Sequence, residues 1–209
     1  MGELKLVGEK YRTILMFGEP GCGKGTQGKI LGDLPGFFHL SCGDVFRTLN
    51  PNSQLGKIFL DYSSKGKLVP DEVTVKLWSE HIHRLVAMHQ FWPDEEILIL
   101  DGIPRNKAQA KIMDEYIDVV MVLYLEATDE EALIQRMKRR ALHENRLDDA
   151  NEDVIRNRFE AYHAETAPVL DHYPPDLIRR VDANRTAIEV LKGVIWNVEA
   201  VMQMRLQEK

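Results

Sequence analysis

The chain has 209 residues, of which 44% are hydrophobic, and a formal charge of −6. That length supports one substantial core with a small lobe or two attached, and the acidic balance excludes broad nonspecific nucleic-acid binding, which needs a basic surface to neutralise backbone phosphates. The two cysteines, Cys22 and Cys42, are too few for a disulfide framework or a thiolate zinc site; no stretch approaches the roughly 20 apolar residues of a membrane span, and the first residues lack a secretory apolar region, so the expectation is a cytoplasmic protein with no membrane partner.

Residues 1–12 receive no assignment, and the first apolar run, TILMF at 13–17, reads as a buried strand. Directly after it comes Gly18-Glu19-Pro20-Gly21-Cys22-Gly23-Lys24-Gly25-Thr26, which fits G-x-x-x-x-G-K-S/T only with Gly25 inserted before the hydroxyl residue. Glycines let backbone N–H groups converge on phosphate oxygens, the helix expected at 24–31 points its positive end at them, and Lys24 adds a mobile cation. Thr26 can help to place Mg²⁺. The competing reading is a glycine-rich turn that only joins strand to helix. The lysine inside the loop, with a strand before and a helix after, favours a phosphate site. GTPase switches, ATPase motors and kinases share this cradle, so it does not name the reaction.

A second strand is expected at 37–40, followed by two short helical patterns at 44–49 and 55–64 and a long helix at 71–90. Residues 41–70 therefore read as a small inserted lobe. The run ILIL at 97–100 ends on Asp101, after which a helix (107–116), a strand (119–125) and a helix (129–140) follow. Residues 141–150 are polar and charged and read as a short mobile loop or lid. A helix at 153–172, a strand at 177–181 and a helix at 185–206 complete the chain. This alternation implies a three-layer α/β/α fold with a five-stranded parallel sheet. Ligands of such sheets bind outside the carboxyl ends of the strands. Asp101 stands at such an end and could orient Mg²⁺ through water, against the reading as an ordinary turn residue.

Beyond the loop, motifs accumulate. Gly18 to Gln27 reads G-x-P-G-x-G-K-G-T-Q, and His39-Leu40-Ser41-Cys42-Gly43-Asp44 is followed by Arg47. Gly66-Lys67-Leu68-Val69-Pro70-Asp71-Glu72 closes the lobe, and Asp101-Gly102-Ile103-Pro104-Arg105 is followed by Gln109. Arg136 and Arg140 precede the polar stretch, and Arg146, Asp148, Asp149, Arg158 and Tyr162 end or follow it. Through these motifs, in order from Gly18 to Arg185, the chain resembles the adenylate kinase family of nucleoside monophosphate kinases. One extra residue lies between Asp149 and Arg158, and Ile103, Asn106, Glu19 and Ala183 depart from the family pattern.

The resemblance implies a P-loop kinase with a core (1–40, 71–136 and 147–209), a monophosphate-binding lobe (41–70) and a short lid (137–146). It implies reversible, Mg²⁺-dependent transfer between small-molecule nucleotides, ATP + AMP = 2 ADP, by a monomer. Phosphoryl transfer mainly requires that two anions be positioned and neutralised, which explains the arginines. Lys24, Arg105, Arg140, Arg146 and Arg158 are the expected catalytic groups. ATP would lie on Gly21, Cys22, Gly23, Lys24, Gly25 and Thr26, with Arg136, Arg140 and Arg185. The monophosphate would meet Cys42, Gly43, Arg47, Lys67, Val69, Gly102, Arg105 and Gln109, with Arg146 and Arg158 bridging toward the transferred group. Thr26 and Asp101 would serve Mg²⁺. The lid has one histidine and no cysteine, so the resemblance implies no structural zinc. Arg139, Arg179 and Arg180 are left as solvated surface groups.

Gln109 can make two hydrogen bonds to a purine edge and favours AMP. Cys42, a weak donor where the family has threonine, and Asn106, which is similar to UMP/CMP kinases, keep a pyrimidine kinase as the alternative. A non-catalytic adenine nucleotide sensor is the alternative from another class. His81 and His83 are separated by about 200° on a helix and cannot share a metal.

Overall fold

A computed structural model of the chain describes residues 10–144, 149 and 151–207, the last four by their backbone alone. Five strands form one parallel sheet: β1 (Tyr11–Gly18), β2 (Phe37–Ser41), β3 (Ile97–Asp101), β4 (Ile117–Glu126) and β5 (Ile178–Asp182), in spatial order β2-β3-β1-β4-β5. The central strand is the first in sequence, so the chain order reverses on either side of β1. Such a reversal opens a crevice at the carboxyl edge. The register places Ser41 and Met16 opposite Asp101, and Gly18 opposite Leu125.

Successive side chains of a strand face opposite ways, and β1 divides between two cores accordingly. Leu15 and Phe17 join Leu98 and Leu100 under α4 (Asp71–Ala87) and α5 (Lys107–Met113), where Trp78 and Ile82 are fully buried. Ile14 and Met16 join Ile97, Ile99 and Leu123 under α1 (Lys24–Gly32), α6 (Glu130–Glu144), α7 (Glu152–Ala161) and α8 (Ala187–Gln207). Helices thus cover both faces, as the run of apolar residues in each strand predicts.

Two short helices, α2 (Cys42–Arg47) and α3 (Gln54–Ser63), form the small lobe, joined by the stacked rings of Phe46 and Phe59. Side-chain oxygens start most helices: Ser41 accepts from Asp44 N, Ser53 from Gly56 N, Asn106 from Gln109 N and Asn151 from Asp153 N. Thr186 and Glu189 bond to each other at the start of α8.

Three expectations about helices need correction. Residues 141–144, expected in a loop, continue α6; Ala141 and Leu142 are good helix formers and no breaker intervenes. The helix expected at 153–172 is regular only through Ala161. A π-turn (Tyr162–Thr166) and a 3₁₀ stretch (Ala167–His172) follow, because Pro168 lacks an N–H and crowds the preceding turn. Helix α4 stops at Ala87 rather than 90, where His89 turns to φ 54°.

Candidate active site

The carboxyl ends of β1, β2 and β3 open into a cavity of 780 Å³, lined by the glycine loop, both lobe helices, the turn after β3, α6, α7 and the turn after β5. Every expected site residue among those described lines this cavity. Arg146 and Asp148 lie outside the described residues.

The floor is the loop between β1 and α1. Gly18 (φ 141°) passes so close to β4 that a Cβ would fall 2.5 Å from the Leu125 carbonyl oxygen and 2.6 Å from Cys22 Sγ. Gly23 (φ 107°) caps α1 in a left-handed conformation, with nothing within 4 Å of where its Cβ would be. The first turn of α1 therefore begins on a bare stretch of backbone, with its N–H groups unmatched within the helix. Lys24 Nζ donates to the carbonyls of Gly18 at 2.6 Å and Glu19 at 3.0 Å, so the cation arches over the loop. Cys22 lies beneath it, 3.7 Å from Nζ. Burial raises its thiol pKa, and the Lys24 charge opposes that shift.

The lobe side carries Cys42, Gly43, Arg47, Lys67 and Val69. Cys42 opens α2, 2% exposed, and burial pushes its thiol up to about 11. Arg47 reaches back over Gly43, with Nη1 donating to Asp44 Oδ1 at 2.9 Å. Lys67 and the buried Val69 close the lobe. Across the cavity Gly102 (φ 82°) turns the chain so that Arg105 Nε donates to its carbonyl at 2.8 Å. Gln109 is buried. Its Oε1 accepts from Arg105 N at 2.8 Å, and its Nε2 donates to Asp71 Oδ1 at 2.7 Å. Among the described residues, these bonds leave one N–H and one lone pair of its amide for a ligand, the two hydrogen bonds that the sequence reading assigns to it.

The rim comes from α6 and α7. Arg136 Nη1 donates to the Ala183 carbonyl at 3.1 Å. Arg140 donates through Nε and Nη2 to Asp149 Oδ2, at 2.8 Å and 2.5 Å, while Arg158 Nη1 donates to the other carboxylate oxygen. Asp149 is fully buried between them. Arg185, more exposed, donates from Nε to Asp182 Oδ2 at 3.0 Å.

Asp101, 8% exposed, directs Oδ2 to 3.8 Å from where a Cβ on Gly25 would stand. A carboxylate beside the start of α1, with the Thr26 hydroxyl one residue on, fits the sparse, oxygen-only protein contribution that Mg²⁺ takes when phosphates and water complete its shell.

Some features around the cavity have no signal in the sequence. His39 is wedged against Gly28, its Nε2 buried without a hydrogen bond among the described residues, and burial lowers its pKa. Glu19 Oε1 meets His163 Nε2 at 3.2 Å, tying the loop to a residue 144 positions away. Asp71 reads in the sequence as a helix-start residue after Pro70, and nothing there announces its bond to Gln109. Arg180 and Arg179 lie on exposed positions of β5; Arg180 stacks over Tyr124 at 5.0 Å from the ring centre and pairs with Glu126.

Residues 16–177 match the family model described as adenylate kinase. The chain is 37% identical over 167 residues to an adenylate kinase of Flavobacterium psychrophilum, covering 77% of this chain and 84% of that protein. It is 39% identical over 183 residues to an adenylate kinase of a Cyanothece species, covering 85% and 90%. A third, from Maricaulis maris, is 36% identical over 194 residues, covering 90% and 98%. With the glycine loop at the carboxyl end of β1, DGIPR at the end of β3 and the arginines of α6 and α7 all facing one cavity, and with relatives of this similarity along most of its length, the chain belongs to the adenylate kinase family of phosphotransferases.

Proposed function

We propose that the chain is an adenylate kinase that moves the terminal phosphoryl group of ATP to AMP, giving two ADP. The observation that carries this reading is the shared cavity: Lys24, the lobe-side Arg47 and Arg105, and the rim arginines Arg136, Arg140 and Arg158 all line it. Two nucleotide phosphates brought together repel strongly, and guanidinium groups are the best available clamps for them.

In this reading Gly21 to Thr26 cradle the donor phosphates, with Arg136, Arg140 and Arg185 over them. Arg47 and Arg105 hold the acceptor phosphate, whose base meets Cys42, Gly43, Lys67, Val69, Gly102 and Gln109. Arg146 and Arg158 bridge toward the transferred group, and Lys24 stabilises charge on the transferring oxygens. The acceptor phosphate oxygen is already deprotonated, so no general base is needed. A P–O bond forms to the γ-phosphorus as the bond to the β,γ-bridging oxygen breaks. Mg²⁺, held through Thr26 and Asp101, neutralises phosphate charge when bound. The lobe (41–70) and lid (137–146) close on the core and exclude water, which keeps ATP from hydrolysing. The enzyme acts as a cytoplasmic monomer on small-molecule nucleotides.

Gln109 and the names of the relatives support AMP as acceptor. Asn106 and Cys42 favour a second reading, a UMP/CMP kinase. A coupled steady-state assay with Mg·ATP and equal concentrations of AMP, CMP, UMP and GMP tests both. AMP is expected to be the best acceptor, with negligible ATP hydrolysis when no acceptor is added. A clear preference for CMP overturns the AMP assignment, rapid acceptor-free hydrolysis overturns the transfer mechanism, and nucleotide binding without turnover marks a sensor.

A further inference from the structure

Three hydrogen bonds fix the Gln109 side chain and the start of its helix. Oε1 accepts from Arg105 N at 2.8 Å, Nε2 donates to Asp71 Oδ1 at 2.7 Å, and the backbone N donates to Asn106 Oδ1 at 2.8 Å. Asn106 Nδ2 donates to the same Asp71 oxygen at 2.8 Å. These partners dictate which way the amide faces. A backbone N–H can only donate and a carboxylate can only accept, so turning the amide over would set N–H against N–H and oxygen against oxygen. Gln109 is 1% exposed, which leaves little water to relieve such a mismatch.

The geometry points to Asp71 as a positioning residue that sets discrimination between purines at the acceptor site, an inference that rests on the AMP reading above. Asp71 stands behind Gln109, outside the residues that line the cavity, and acts through it. Once Asp71 and Arg105 are served, the amide keeps one N–H and one lone pair in a fixed order. Adenine presents a ring acceptor at N1 beside an amino donor at C6. Guanine presents the reverse, a ring N–H beside a carbonyl. An amide that cannot turn over matches only one of these orders for a given placement of the base, and a site whose buried polar groups are left unmatched rejects the wrong substrate strongly. Asp71 is also the first residue of α4, where a carboxylate favours the helix dipole. That purely structural role would change stability without changing which base is used.

The test compares the whole chain with Asp71→Asn, in which the new amide can donate to Gln109 Oε1 or accept from Nε2, so that of the two partners only the Arg105 N–H still opposes a turned amide. Asp71→Ser, which keeps a residue suited to a helix start, is the second variant should the first not accumulate as folded protein. Steady-state kinetics with Mg·ATP and either AMP or GMP are the readout. The ratio of kcat/KM for AMP to that for GMP is expected to fall at least about tenfold, through KM for the monophosphate, with KM for ATP changed by less than about twofold. A ratio that stays within about twofold of the unmodified chain overturns the inference, whether or not both activities fall together. If the unmodified chain prefers CMP, the AMP reading and this inference fall together; if it prefers AMP and the ratio is insensitive to Asp71, only this inference falls.

Discussion

The floor and the rim of the cavity are built by different physics. The floor is nine consecutive residues, Gly18 to Thr26, whose shape is set by left-handed glycines and close backbone contacts such as Gly18 against Leu125. The rim is assembled from separate helices, and two of its arginines meet one buried carboxylate, Asp149, that takes Arg140 on one oxygen and Arg158 on the other. A floor of this kind is fixed by volume and torsion and is sensitive to any added atom. A rim of this kind is fixed by charge pairing, and a phosphate group offers the same guanidinium donors the same type of acceptor as Asp149.

Four substitutions break the comparison, the largest expected effect first. Lys24→Met removes the one side-chain cation of the floor, and kcat/KM for phosphoryl transfer is expected to drop by about 10²–10³ or more, read by steady-state kinetics. Gly18→Ala adds a methyl group at 2.5 Å from the Leu125 carbonyl oxygen, and a loss of about 2–4 kcal/mol is expected in urea unfolding. Gly23→Ala, with open space around it, should lose only about 1–2 kcal/mol, from its torsion angle alone. Equal losses at the two glycines would mean that contact with β4 does not shape the floor. On the rim, Asp149→Asn keeps the volume but weakens both ion pairs, and a loss of about 1–3 kcal/mol is expected in the same measurement. A rim variant as stable as the unmodified chain would remove Asp149 as the organiser of the arginines.

The smallest effect concerns the lobe side. The Cys42 thiol is raised from 9.0 to about 11 by burial. A raised folded-state pKa contributes stability that is complete below the unfolded value and lost as pH climbs through the folded one. Stability should therefore decline between about pH 9 and pH 11, by about 1 kcal/mol at pH 10 relative to pH 8. Cys42→Ala should lack that component. Identical pH profiles for the two proteins would show that the thiol carries none of it.

The floor was far more legible in the sequence than the rim. A glycine loop is contiguous, so its strand, lysine and helix all fall within one short window, and strand cores such as ILIL at 97–100 announce themselves by being apolar throughout. The rim depends on where two helices end. The expected loop at 141–144 is helix, and the expected long helix after 153 gives way after Ala161, ahead of Pro168, to π and 3₁₀ turns. Those outcomes are decided by packing, which a local pattern does not carry. Contacts between residues far apart, such as Asp71 with Gln109 or Glu19 with His163, were not readable at all. Each residue has a sufficient local explanation, as a helix start or a loop polar group, and only the fold supplies its partner.

The edge strand β5 has a consequence for solubility. Its outer positions carry Arg179, Arg180 and Asp182, all exposed, while Val181 alone is buried. An unpaired strand edge is a template on which another chain can extend the sheet. Here such an extension would have to strip water from two guanidinium groups and a carboxylate, one of them already engaged with Glu126. Among the described residues no further strand pairs with this edge, and charge rather than a paired neighbour raises the cost of extending the sheet there.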